Sequence, residues 1–490
     1  MEDHSRRSFL TKTGAAVGGI TLGTIPVSAA PAEERYIVDT SGLSKRRFDD
    51  VEIIYWLNEI EFAVVRGNPS AVDEKRVEPD IKLSLEDRDD AGPPVERDSK
   101  PGGPPPWGGP KDERDPLYYL QWDKQAQNVP DVHGITRGEG TRVSIIDSGI
   151  FGDHPDLDGP LNSDLSENFT QDSGDFNPVG SDHGTHVGGI VAAEDNNGIG
   201  VLGMAPDTDL VACRVFSGPF AMFGNIIAAI VYSANIDADV ANLSLGAYPL
   251  PKGSEAAEVR REAYTSSSEY ANEQGMMLVA AAGNDGANLD DDGDVISLPN
   301  EADNYMSISA TGPIGYRWGG PGNGKGQEQR NYRAALKHLE EPTHDPAFYT
   351  NYGPEAVDIS APGGDADLEA LDSVENAKYD LVLSTTFSGE DTDDDDAPDP
   401  PFEPSYGWKA GTSMASPQVA GVVALIRSLR PEMTPDEIRN HLEETATDLG
   451  SPLYHGEGHL DTGAAVRSLG TGSEGGASES SQGPDNGRGP

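Results

Sequence analysis

Four short runs, at residues 142–146, 210–215, 240–245 and 277–281, are apolar almost without interruption. A strand with one wet face alternates apolar and polar residues, so runs of this kind belong to a sheet covered on both faces. Around them the apolar spacing changes to that of helices, at 183–193, 225–234, 254–274, 413–428 and 434–445. Thr434-Pro435-Asp436-Glu437 marks a helix start by itself, a capping residue followed by proline at the first helical position. The fold class that follows is α/β, a parallel sheet with helices on both faces.

Three motifs lie on this frame, Ser144-Ile145-Ile146-Asp147-Ser148-Gly149, His183-Gly184-Thr185-His186 and Gly411-Thr412-Ser413-Met414-Ala415-Ser416-Pro417. They supply an Asp, a His and a Ser. A hydroxyl is a poor nucleophile at neutral pH; it needs an imidazole to take its proton and a carboxylate to hold that imidazole in the right tautomer. Asp147 ends a buried strand, at the sheet edge where open α/β folds place ligands. Ser413 stands at a helix start, where unpaired backbone N–H groups and the positive end of the helix favour developing negative charge. The order Asp, His, Ser differs from the chymotrypsin and α/β-hydrolase orders.

With these motifs the chain, over residues 115–470, resembles a subtilase, a subtilisin-type serine endopeptidase of thermitase-like or halolysin-like type. The resemblance implies Asp147, His183 and Ser413 as the catalytic triad. One departure stands out: Gln418 occupies the place after the proline where the family usually has histidine, and a tolerated packing change is expected there. An esterase is the first alternative, weakened because an α/β-hydrolase elbow needs glycine where Ala415 stands. A catalytically silent binding protein is the second. His183 and His186 are spaced to share a metal, yet no third ligand is nearby in sequence.

The same resemblance makes Asn284, in Ala281-Ala282-Gly283-Asn284, the side-chain donor to an oxyanion, although Asn284-Asp285-Gly286 also reads as a turn. It implies that Ser244, Leu245 and Gly246 pair with an extended substrate backbone, and that Ala280, Ala281, Ala282 and Gly283 wall the pocket for the residue before the scissile bond. Main-chain pairing implies protein and peptide substrates of broad sequence. The opposite edge, near Ser217-Gly218-Pro219-Phe220, is left unassigned. The segment Glu194-Asp195-Asn196-Asn197-Gly198-Ile199-Gly200-Val201 resembles a calcium loop of the family. There Asp115, Asp156, the Asn197 side chain and the carbonyls of Glu194, Ile199 and Val201 would hold structural Ca2+, a cation that prefers hard oxygens. A plain polar turn is the alternative.

Ser5-Arg6-Arg7-Ser8-Phe9-Leu10 followed by a weakly apolar stretch and Val27-Ser28-Ala29-Ala30 reads as a twin-arginine signal over residues 1–30. A secreted product is expected. Short strand-like runs over 31–90 resemble a small α+β propeptide that would act as an intramolecular inhibitor. Residues 91–114 form a Pro/Gly-rich linker, 115–470 the catalytic domain and 471–490 a disordered tail. Residues 312–346 and the acidic stretch 390–404 are expected to be surface loops. The single cysteine, Cys213, excludes an intramolecular disulfide and reads as a buried strand thiol.

Against 35 basic residues stand 84 acidic ones, a formal net charge of -49. Nucleic acid and anionic membranes are excluded as partners by repulsion. A salt-rich environment, with its Debye length of about 3 Å at 1 M, suits such a surface. No later stretch approaches the roughly 18 apolar residues of a membrane span. A monomer is expected.

Overall fold

The apolar runs build the middle of a seven-stranded parallel sheet. The computed structural model describes residues 34–84 and 115–470, apart from 71, 74–75, 196, 253–254, 319–334, 338, 375 and 391–398. Its central strands are β6 (Arg142–Asp147), β7 (Glu167–Asn168), β8 (Asp209–Arg214), β11 (Val240–Leu243), β13 (Met277–Ala281), β15 (Tyr305–Thr311) and β16 (Ile359–Pro362). They lie in the order β16-β15-β13-β11-β6-β8-β7, every neighbouring pair parallel.

Successive residues serve opposite faces, which is why the runs are apolar throughout. Val143 and Ile145 of β6 join the core beneath helices α1 (His183–Ala192) and α4 (Thr412–Leu429), whereas Ile146 joins the core beneath α2 (Phe223–Asn235) and α3 (Glu255–Glu273). In β8, Leu210 and Ala212 take the first face and Val211 and Cys213 the second. Cys213 is buried and its thiol is pushed up to about 12 by that burial, so it is a core residue and no nucleophile. Helix α5 (Pro435–Thr445) opens with a complete capping box between Thr434 and Glu437. Helix α6 (Thr462–Gly470) adds Ala465 and Val466 to the core beneath α4.

Residues 34–84 form a four-stranded antiparallel sheet from β1 (Arg35–Asp39), β2 (Glu52–Leu57), β3 (Phe62–Arg66) and β4 (Val77–Pro79), in the order β2-β3-β1-β4. Alternation again divides the residues. Val38, Ala63 and Val65 pack with Phe48 in a small private core, while Ile37, Leu57 and Phe62 pack toward α2 and α3. The expected α+β character is reduced to a 3-10 turn, Lys45–Phe48, and residues 34–84 hold no α-helix among the described residues. Docking onto the large domain is polar as well as apolar. Arg35, held by Asp80 of its own segment at 3.0 Å, donates to Asn225 Oδ1 of α2 at 2.9 Å. Asp80 also accepts from Gly224 N–H at 3.1 Å, in the first turn of α2, and Glu78 pairs with Arg260 of α3.

A three-stranded sheet joins the two parts. β5 (Lys82–Ser84) runs antiparallel to β10 (Phe220–Met222), which pairs with β9 (Phe216–Ser217). The edge near Ser217-Gly218-Pro219-Phe220 is therefore formed by β9 and β10, with β10 already covered by the small domain's last described strand.

Two expectations of surface loops need correction. In the 312–346 insertion, Ile314, Tyr316 and Ala335 are fully buried, because Gly315 and Tyr316 N–H donate to the buried Asp380 carboxylate and fasten the segment down. From the 390–404 stretch, residues 399–404 belong to β18 (Asp399–Lys409), which pairs antiparallel with β17 (Val382–Glu390) in a long hairpin. Asp393 to Asp396 lie outside the described residues, as do the twin-arginine segment 1–30, the linker 91–114 and the tail 471–490.

Candidate active site

Strand β6 has β8 on one side and β11 on the other, so the chain leaves it toward both edges and a crevice opens at its carboxyl end. Asp147 is the last residue of β6 and is fully buried. Its Oδ1 accepts from Ser148 N–H at 2.7 Å and lies 2.8 Å from His183 Nδ1. An acceptor-only carboxylate there selects the tautomer with hydrogen on Nδ1 and leaves the Nε2 lone pair for a proton. His183 reaches this position because α1 begins with it and glycine follows. A Cβ on Gly184 would stand 2.3 Å from Gly149 O, so any other residue would push the helix start away from the strand end.

His186, one turn on, points elsewhere. Its Nε2 lies 3.2 Å from both Val382 O and Gly407 O of the hairpin, and burial pulls its ring well below the ordinary value. It is a neutral structural residue that ties α1 to β17 and β18.

Ser413 is the second residue of α4. Its hydroxyl donates to Ser244 O at 3.1 Å. Pro417, four residues on, has no N–H with which to meet the Ser413 carbonyl. The Ser244 hydroxyl does so instead, at 2.8 Å, and is itself held by Asn242 Nδ2 at 2.9 Å. Proline in the first turns of this helix is thus compensated from the end of β11, and Ser413 is fixed against the crevice.

Asn284 follows β13. Its Oδ1 accepts from Thr412 N–H at 2.9 Å and from the Thr412 hydroxyl at 3.0 Å, which commits the oxygen and leaves the amide NH2 as the donating end. Gly283 adopts φ 101, and a Cβ there would meet Asn351 Nδ2 at 2.3 Å. Asn351 is fully buried and organises the whole turn. Its Oδ1 accepts from Asp285 N–H and Ala287 N–H, and its Nδ2 donates to Ala282 O. Thr412 and Asn351 are positioning residues that the motifs alone did not single out. The available signal was an amide-bearing residue in Tyr349-Thr350-Asn351-Tyr352, a weak one, because its partners lie about 66 residues away.

His183, Ser413, Asn284 and Thr412 line one cleft with Ser244, Leu245, Gly246, Ala281 and Gly283. Ala280 and Ala282 are set apart from the expected pocket wall. Ala280 faces the core beneath α2 and α3, and Ala282 binds β15 through its N–H, as strand alternation requires. Gln418 is more than packing. It accepts from Lys124 Nζ and donates to Asp123 Oδ2, both at 2.8 Å, in a buried polar triad beneath α4.

Of the residues expected to hold calcium, Asp156 meets Asn197 and lies near Asp115. Asp115 is 2% exposed and neither of its carboxylate oxygens has a hydrogen-bond partner. Its carboxyl is pushed up to about 8 by burial and by the nearby Asp156 and Asp195. Asp156 accepts from Asn197 Nδ2 at 2.8 Å and from Val201 N–H at 3.0 Å, and burial lifts it to about 6. Two buried carboxylates side by side, one of them with both oxygens orphaned, fit a hard cation better than they fit each other. The Asn197 amide turns its NH2 toward Asp156 and its oxygen toward Ile199 N–H. Among the described residues no group of three or more His, Cys, Asp or Glu side chains is arranged to hold a metal.

The family model for the subtilase family matches residues 138–463. The chain belongs to the subtilase family. Subtilisin Savinase from Lederbergia lenta is 32% identical over 354 residues, covering 71% of this chain and 99% of that protein. M-protease from Shouchella clausii is 30% identical over 435 residues, covering 88% and 85%. Among solved structures, the epidermin leader peptide processing serine protease from Staphylococcus aureus is alike in fold, with a TM-score of 0.64 at 22% identity over 89% of this chain and 98% of that one. This subtilase is a serine endopeptidase, and its mixed α/β architecture is that of its relatives.

Proposed function

We propose that this subtilase is an exported serine endopeptidase that hydrolyses peptide bonds through an acyl-enzyme on Ser413. The observation that carries the reading is the 2.8 Å contact of Asp147 with His183 in the cleft that also holds Ser413. His183 Nε2 takes the Ser413 proton as the hydroxyl attacks the carbonyl carbon, and later gives it to the leaving amine. The oxyanion is stabilised by the Asn284 amide and by backbone N–H at the start of α4. Water then repeats the cycle to release the acid. Casein hydrolysis measured with and without a serine-directed fluorophosphonate tests this. Hydrolysis that survives complete modification would sink the proposal.

Residues 34–84 act in this reading as a pro-segment. β5 lies on β10 where an extended substrate would add a strand, so the segment blocks the edge that substrates need until the chain between 85 and 114 is cut. Structural calcium is held by Asp115, Asp156 and the 194–201 loop, where it would compensate the paired carboxylates. Export through the twin-arginine route, a monomeric mature enzyme and a halophilic host complete the proposal. No helix among the described residues is long and apolar enough to cross a membrane. The charge of -49 requires screening, so the melting temperature should rise from dilute buffer to molar salt; a flat or falling curve would remove the halophilic part.

A further inference from the structure

We infer that Lys409 and Asp182 are a positioning pair for His183. Their ion pair ties the helix that begins with the base to the strand that leads into Ser413, and their opposed charges set the proton affinity of the imidazole. The inference rests on the endopeptidase reading above and names two residues that act through its base.

Asp182 directly precedes α1, where an aspartate ordinarily turns its carboxylate back onto the first backbone N–H groups of the helix. It makes no such bond. Those groups have other acceptors: His183 N–H donates to the Ser181 hydroxyl at 3.3 Å, and Gly184 N–H to the Ser148 hydroxyl at 2.8 Å. The Asp182 carboxylate is thereby released, and its Oδ1 lies 2.9 Å from Lys409 Nζ. Lys409 is the last residue of β18, where it pairs with Val382 of β17, and the chain runs from it through Ala410 and Gly411 into α4. The side chains of Lys409 and Asp182 are 6% and 22% exposed. A solvated surface pair would hold little, but here the loss of either partner leaves the other charge poorly hydrated beside the base.

The charges about His183 are few. Asp147 faces it from β6, and Asp285 shares its cleft from the loop after β13. On α1 itself Asp182 precedes it and His186 follows, while Lys409 approaches from β18. From β17 the neighbours of α1 are the uncharged Ser384 and Thr385, and α4 brings Thr412 and Ser413 to the cleft. Arg214, beside Asp147 in the sheet, is paired with Asp172. His186 is neutral, its ring held well below the ordinary value by burial first and by Lys409 second. Asp147 and Asp285 both favour a proton on His183. Asp182 adds a third negative charge one residue away, and Lys409 offsets it. Without the lysine the imidazole would keep its proton to higher pH and be blocked as a base over more of the neutral range.

The test uses the processed enzyme, counted by fluorophosphonate titration, and follows kcat/KM for one peptide p-nitroanilide from about pH 5 to about pH 9 at a fixed salt concentration; the acidic limb of that profile reports the proton on the base of the free enzyme. Lys409→Met leaves Asp182 uncompensated and should move the limb up by roughly half a unit or more, whereas Asp182→Asn leaves Lys409 uncompensated and should move it down by a similar amount. With both changes together the limb should return to the wild-type position while kcat stays about tenfold lower, because the tie between α1 and β18 is gone. Lys409→Arg keeps charge and tie and should keep the wild-type profile. Asp182→Asn, which preserves the size of the side chain, serves alone if Lys409→Met gives no titratable enzyme. A limb that stays in place in the single variants, or moves the same way in both, overturns the inference and leaves the endopeptidase reading standing. Titratable wild-type enzyme that hydrolyses no peptide overturns both.

Discussion

Asp147 Oδ1 lies 2.8 Å from His183 Nδ1, with side chains 0% and 6% exposed. Water is thus excluded from the one contact that decides which imidazole nitrogen carries the proton. Asp147→Asn keeps the size of the side chain and can offer an N–H in place of a lone pair, favouring the wrong tautomer. A fall of roughly 10⁴ in kcat is expected, measured by single-turnover hydrolysis of a peptide ester. A fall below tenfold would mean that Asp147 does not orient His183.

Asn284 Oδ1 is held by both the N–H and the hydroxyl of Thr412. Asn284→Ala should cost roughly 10²–10³ in kcat, the magnitude known for a subtilisin, with little change in KM. Thr412→Val removes one of the two bonds that aim the amide and should cost about tenfold in kcat. Unchanged turnover in Asn284→Ala would leave that residue a turn former only.

Much of this was legible in the chain. Uninterrupted apolar runs became strands buried on both faces, because each residue in turn meets helices on one side or the other. The helix starts at His183 and near Ser413 fell where the motifs placed them, since a capping position or a glycine-rich turn acts locally. What depends on long-range partners was not legible. Gln418 was read as packing because its partners, Asp123 and Lys124, lie 295 and 294 residues away. Tyr316 and Ala335 looked like loop residues because the anchor Asp380 is 64 residues from Tyr316. Ala280 and Ala282 came with the pocket wall through the resemblance alone, and the alternation of β13 places Ala280 in the core instead.

Asp115 and Asp156 together predict a calcium-dependent stability. A cation that binds the native state alone contributes about 2.7 kcal/mol at a hundredfold excess over its Kd, which corresponds to roughly 3–4 °C in a domain of this size. Chelation should lower the melting temperature by about that much, and Asp156→Asn should abolish the response. Identical melting with and without chelator would argue for a plain turn.

His455 and His459 both lie against the Ser360 hydroxyl, at 2.8 and 2.9 Å. Burial, with neighbouring histidines adding to it, pulls His455 down to about 4 and His459 to about 3. Unfolded histidine takes its proton near 6.5, so below that pH the unfolded chain binds more protons than the folded one. The stability these groups contribute is therefore complete above about pH 6.5 and is lost as the pH falls toward 4 and then 3. The drop in melting temperature between pH 7.5 and pH 5 should shrink in His455→Gln. An equal drop in both proteins would place the acid sensitivity elsewhere.

The central claim is that Ser413 is the nucleophile, and covalent mapping tests it most directly. Enzyme inactivated by a fluorophosphonate is digested and its adduct located by mass spectrometry, while casein hydrolysis is followed on the same sample. The account predicts one adduct per active chain, on Ser413, with hydrolysis lost in step with its formation. An adduct on another residue, or hydrolysis that persists when Ser413 is fully modified, would contradict it.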